Sequence, residues 1–199
     1  VCEIRITHQK YHSKTMQFSY GQIKRRKAGI MESKGIFGFV DPRVREAALQ
    51  VAQQLEKLGI RFALAGGLAV GVHGYIRATR DVDFLVGEEA FEHHGLLVTF
   101  KAGVPIQVNG IQVDYLSALS LGEHLIKDLE HPSVCDGLPV ISIESLIYMK
   151  LIARRRQDQL DIIKLLQAGA NVRSIRKYLE EYADDQLPLF EELLEEAER

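Results

Sequence analysis

From Asp41 onward the apolar positions fall into legible periods. Val44, Ala47, Ala48, Val51, Leu55 and Leu58 recur at three- and four-residue intervals up to Gly59, the spacing of one buried helical face. Asp41 is placed to cap that helix, and Pro42 to occupy its first position, where a missing N–H costs nothing. The run IRFALA (60–65) reads as a buried strand, Gly66-Gly67 as a turn, and LAVGVHG as a short helix closed by Gly74. DVDFLV (81–86) is a second strand pattern. Residues 88–94 read as helical, and LLVTF, PIQV and IQVDYL as further strands, the last two joined by the hairpin signal Asn109-Gly110.

Past Pro139 the texture changes. No Gly or Pro occurs from Val140 to Ala168, and Leu146, Ile147, Leu151, Ile162, Ile163 and Leu166 make a helical stripe in two pieces, with Ser142 as its N-cap. Asn171 opens another helix, and LPLFEELLEEAER forms a last, acidic one. The pattern predicts an α/β (α+β) core with a small mixed sheet over 41–142 and a helical C-terminal part over 143–199 packed on it.

Charge marks off a third segment. The net charge of −2 divides into +6 over residues 1–31 and −8 over the rest. Residues 1–35 lack core periodicity and are expected to be a basic extension outside the fold. The acidic bulk excludes a generic nucleic-acid-coating protein. Cys2 and Cys135 have no metal-ligand spacing, no apolar run nears the ~18 residues of a membrane helix, and no secretory h-region opens the chain. A cytoplasmic protein with no membrane partner is expected.

Candidate chemistry lies in LAGGLAVGVHGYIRATRDVDFLV (64–86). On a strand, Asp81 and Asp83 point to one face, about 6.6 Å apart, while Val82 and Phe84 pack on the other. Two carboxylates held together in a dry site repel, and a divalent cation relieves them; hard oxygen ligands suit Mg²⁺. Without a ligand, the same pair reads as a strand end facing water. Asp114, flanked by apolar residues in IQVDYL, would bring a third carboxylate if its strand lies beside DVDFLV. Gly66 and Gly67 let backbone approach a phosphate closely, or simply make a tight turn. Arg77 and Thr79 are placed either to donate to phosphate or to lock their loop. His73 reads as a packed or capping side chain. Lys150, Arg154, Asp158 and Asp161 would share one stripe if their helix is continuous, with Lys150 a phosphate contact and Arg154 to Arg156 a solvated face.

The GG pair, the R-x-T-x-D-h-D string Arg77 to Asp83 and the h-D-h at Asp114 resemble the polymerase-β-like nucleotidyltransferase superfamily, specifically the minimal enzymes of the AbiEii/AbiGii abortive-infection toxin family. The resemblance covers about Phe62 to Leu166. Lys150-Leu151-Ile152-Ala153 matches the family's K-x-x-A motif, and Asp158 and Asp161 match a downstream acidic motif loosely. Gly67 stands where the family more often has serine, so a hydroxyl that could contact phosphate is missing. The resemblance implies a polymerase-β-like fold, metal (Mg²⁺, or Mn²⁺ in its place) on Asp81, Asp83 and Asp114, and a nucleoside triphosphate such as ATP bound at Gly66, Gly67, Arg77, Thr79 and Lys150. It implies transfer of a nucleoside monophosphate, by Asp81, Asp83, Asp114 and Lys150, to RNA such as tRNA or to protein, with a cognate antitoxin as partner. Two other readings stay open: modification of a small molecule such as an antibiotic, and an idle toxin–antitoxin interaction module.

Overall fold

The computed structural model describes residues 40–199; the expected basic extension, 1–35, lies outside the described residues. Helix α1 (Pro42–Lys57) starts as its sequence demands: Asp41 Oδ1 accepts from the Arg43 N–H at 2.9 Å, and Val44, Ala47, Ala48, Val51, Ala52 and Leu55 are buried. Strand β1 (Phe62–Leu64) leads into α2 (Gly66–Val72) and then β2 (Asp81–Val86). After β2 come the hairpin β3 (Phe91–His94) and β4 (Leu97–Phe100), the hairpin β5 (Gln107–Val108) and β6 (Ile111–Ser117), and α3 (Ala118–Leu121). Next are α4 (Ile126–Glu130), the hairpin β7 (Ser133–Cys135) and β8 (Leu138–Val140), and four helices: α5 (Ile143–Ala153), α6 (Arg156–Gln167), α7 (Val172–Tyr182) and α8 (Leu187–Ala197).

Six strands form one mixed sheet in the order β5-β6-β2-β1-β8-β7; β2 runs parallel to β6 and β1 parallel to β8, and the other pairs are antiparallel. This is the α/β class expected from the sequence, a small mixed sheet followed by C-terminal helices. Helix α1 packs against β2, β5 and β6, whereas α5 packs against α2, α6 and α7 and so ties the helical part to the sheet. One continuous cluster from Val44 to Leu193 forms the core.

Several local readings need correction. Residues 88–94 are not a helix: one 3₁₀ turn (Glu88–Ala90) precedes β3, whose partner β4 sets the conformation that Glu- and Ala-rich propensity argued against. Gly66 and Gly67 are the first turn of α2 rather than a separate turn. The stripe through Lys150 and Asp161 is not one helix, because Arg154 sits at φ +53° and ends α5. The pair β7–β8 was not anticipated, though Asp136-Gly137, both at positive φ, is a hairpin signal of the same kind as Asn109-Gly110.

Candidate active site

Parallel pairing of β2 and β6 aligns Asp83 with Asp114 and Asp81 with Gln112. Because side chains alternate, Asp81 and Asp83 on β2 share a face with Gln112 and Asp114 on β6, and Val82, Phe84 and Val113 are buried on the other. The three aspartates expected from the sequence therefore stand together in the lining of a cleft of ≈ 1050 Å³, Asp81 exposed and Asp83 and Asp114 half-buried, with Gly66, Gly67, Arg77 and Lys150 also lining it.

Each carboxylate has a local holder. Thr79 Oγ1 donates to Asp81 Oδ1 at 2.9 Å, and Gln112 Nε2 to Asp114 Oδ1 at 2.9 Å. Asp83 is supported by the Gly67 N–H. Burial, with the charges of Asp81 and Asp114 adding to it, pushes the Asp83 carboxyl up to about 6, against the Gly67 N–H and the Lys150 charge. Among the described residues no group of three or more His, Cys, Asp or Glu side chains is placed to hold a metal ion together. The donor set still fits Mg²⁺, which characteristically takes one or two carboxylates and completes its shell with phosphate oxygens and water.

The two glycines answer first to this site's own side chains. Gly66 has φ +56°, and a Cβ there would lie 1.7 Å from Asp83 Oδ2; a Cβ on Gly67 would lie 2.6 Å from Thr79 Oγ1. Close approach is real, but the approaching groups are Asp83 and the Arg77–Thr79 loop.

Lys150 is 5% exposed, and its Nζ donates to Asp158 Oδ1 at 2.8 Å and Asp161 Oδ2 at 2.7 Å. Arg77 grips Asp161 bidentately, Nε to Oδ1 at 2.8 Å and Nη2 to Oδ2 at 2.9 Å, while Arg155 Nε reaches Asp158 Oδ2 at 2.6 Å. Burial acts to raise both aspartates, yet hydrogen bonds from Arg155 and Lys150 to Asp158, and from Arg77 and Lys150 to Asp161, hold both below the usual carboxylate range. Three cations converge on two buried carboxylates, joining the loop before β2 to α5 and α6. The break at Arg154 makes this network: α6 turns back and presents Asp158 and Asp161 to Lys150. Arg154, Arg155 and Arg156 are exposed, as expected, and His73 Nε2 is within hydrogen-bond distance of the Ile141 carbonyl oxygen at 2.9 Å, in keeping with the packed or capping side chain expected of it. Gln112 was missed, although its place two residues before Asp114 on the same strand face could have flagged it.

No family model matches the chain, and no curated protein matches it significantly. Among solved structures, the chain is similar to an antigenic nucleotidyltransferase-like protein from Paracoccidioides brasiliensis, at 16% identity and a TM-score of 0.42, over 77% of this chain and 92% of that one. At that distance the case for function rests on the site. Among the described residues no helix is long and apolar enough to cross a membrane.

Proposed function

We propose that this protein is a Mg²⁺-dependent nucleotidyltransferase of the AbiEii toxin type, moving a nucleoside monophosphate from a nucleoside triphosphate to an acceptor hydroxyl. The observation that carries the reading is the register of Asp83 with Asp114, which adds a third carboxylate to the Asp81/Asp83 pair in the lining of an open cleft. An acceptor oxygen attacks the α-phosphorus, the bond to the bridging oxygen breaks, and pyrophosphate leaves. Asp114, on the strand flanking the pair, is the carboxylate to take the acceptor's proton. Mg²⁺ or Mn²⁺ held by one or two carboxylates of the set Asp81, Asp83 and Asp114 would supply Lewis-acid polarisation of phosphate oxygens. Gly66 and Gly67 keep the adjoining wall free of side chains, and Arg77 and Thr79 fix the loop that carries Asp81. Lys150 sets positive charge beside Asp83 while Asp158 and Asp161 anchor it.

An idle interaction module would gain nothing from a half-buried Asp83 pressed by the like charges of Asp81 and Asp114, and this argues for catalysis. The acceptor in this reading is RNA, tRNA ahead of protein, and a cognate antitoxin is the expected partner. The deciding assay incubates the protein and its Asp81→Asn variant with each labelled triphosphate and Mg²⁺ against total RNA, protein and small hydroxyl compounds. Label in RNA from the parent alone, with growth arrest on expression of the parent alone, is expected. Label on a small compound with normal growth would replace the toxin reading by antibiotic modification, and no label anywhere would overturn the enzyme.

A further inference from the structure

The cleft is larger than a triphosphate and a metal site need, and its lining joins large apolar side chains to the charged groups. Phe100 and Ile106 on one side and Ile152 on the other line it while remaining 41%, 62% and 41% exposed. Large apolar groups left open to water beside charged ones call for an occupant. Phe100 is also held in place. Its ring stacks on Phe91 at 5.4 Å between centroids and meets Tyr115 at 5.3 Å, and the Tyr115 hydroxyl donates to the Pro105 carbonyl oxygen. The exposed remainder is a rigid platform whose own ordering cost was met in folding.

Beside that platform stand two amides. Gln107 and Gln112 are directly opposite each other in the β5–β6 pair, so their side chains share a face, and both line the cleft. Gln112 gives one N–H to Asp114, which leaves its carbonyl oxygen and second N–H for another partner. A flat apolar surface next to paired amide donors and acceptors matches one ligand chemistry, a heteroaromatic ring with hydrogen-bonding edges.

We infer that the part of the cleft lined by Phe100, Ile106 and Ile152 with the amides of Gln107 and Gln112 is a nucleobase subsite. Resting on the nucleotidyltransferase reading, it takes its base either from the donor triphosphate or from the acceptor strand. The ring lies against Phe100 and Ile106, and its edge meets the amides.

The test measures binding of four probes to the full chain by calorimetry in Mg²⁺: ATP, inorganic tripolyphosphate, a short oligoadenylate, and an abasic strand of equal length. A donor subsite makes ATP bind about tenfold tighter than tripolyphosphate, and an acceptor subsite makes the oligoadenylate bind about tenfold tighter than the abasic strand. Phe100→Ala and Ile106→Ala, each melting like the parent, are expected to remove that margin, while Phe100→Tyr keeps it. Equal binding within both pairs, or a margin that survives both alanine variants, overturns the subsite. If tripolyphosphate binds and the base adds nothing, only this inference falls. If neither tripolyphosphate nor ATP binds, the donor reading falls with it.

Discussion

Asp83, half-buried in the cleft lining, and Asp161, buried behind it, respond oppositely to removal of charge. Asp83 has no matching cation in contact, and burial, with the charges of Asp81 and Asp114, pushes its carboxyl up to about 6, a cost on the order of 3 kcal/mol at neutral pH. Asp83→Asn is therefore expected to raise the melting temperature of chelator-treated protein at pH 7 by several degrees, and to abolish the further rise that Mg²⁺ gives the parent. A melting point that falls, or that still climbs with Mg²⁺, would show that the carboxylate is neither strained nor a ligand. Asp161 is the reverse case, fully buried with Arg77 and Lys150 upon it. Its pKa, like that of Asp158, lies below the unfolded value, so the stability both contribute is present above about pH 4 and is lost as pH falls through the folded values. Asp161→Asn strands Arg77 and leaves Lys150 with Asp158 alone, and is expected to cost about 3 kcal/mol in urea unfolding at pH 7, with a shallower loss on acidification. A variant as stable as the parent would mean that Arg77 and Lys150 find other partners.

Elements with a strong period or a cap were legible in the sequence, and short ones set by their neighbours were not. Helix α1 follows from six apolar positions and the Asp41-Pro42 start, α7 from Asn171, whose Oδ1 accepts from the Ser174 N–H, and the β5–β6 turn from Asn109-Gly110. Strand β3 could not be read from FEHH, which has one apolar residue and owes its form to pairing with β4; three-residue strands such as β7 hold too few positions to show alternation. The site was legible where chemistry is written into one strand, Asp81 with Asp83, and Asp114 followed from apolar flanks. The ion network was not, because it depends on the chain reversing between α5 and α6 at a non-glycine residue in the left-handed region. The side chain of that residue, Arg154, donates Nη2 to Gln186 Oε1 over a long 3.3 Å. Arg154→Gly is expected to gain about 0.5–1 kcal/mol, the relief of left-handed strain less the extra chain entropy of glycine, without disturbing Lys150. Chemical denaturation reads this directly, and a loss of stability would make the Gln186 contact the stronger influence.

Across the whole molecule, charge and core divide the chain in different ways. The hydrophobic cluster spans Val44 to Leu193, whereas the +6 of residues 1–31 faces the −8 of everything after them. A body of that sign repels RNA at long range, so an RNA acceptor has to be held either by local arginines near the cleft or by the basic segment. Arg77 is committed to Asp161, and Arg155, though exposed, is paired with Asp158; Arg80, Arg154 and Arg156 also lie exposed in the stretches flanking the aspartate strand and α6. Two chains, the parent and one beginning at Met31, separate the alternatives. Both are expected to melt alike, since the core residues are common to both. The logarithm of the RNA-binding constant should fall linearly with the logarithm of salt concentration, each phosphate contact contributing about 0.7 to the slope for a single strand. Equal slopes for the two chains are the expected result, and assign the contacts to the arginines of the body. A slope shallower by several units in the shorter chain, with its melting temperature unchanged, would instead make residues 1–30 an RNA-binding arm and overturn their reading as an extension without function.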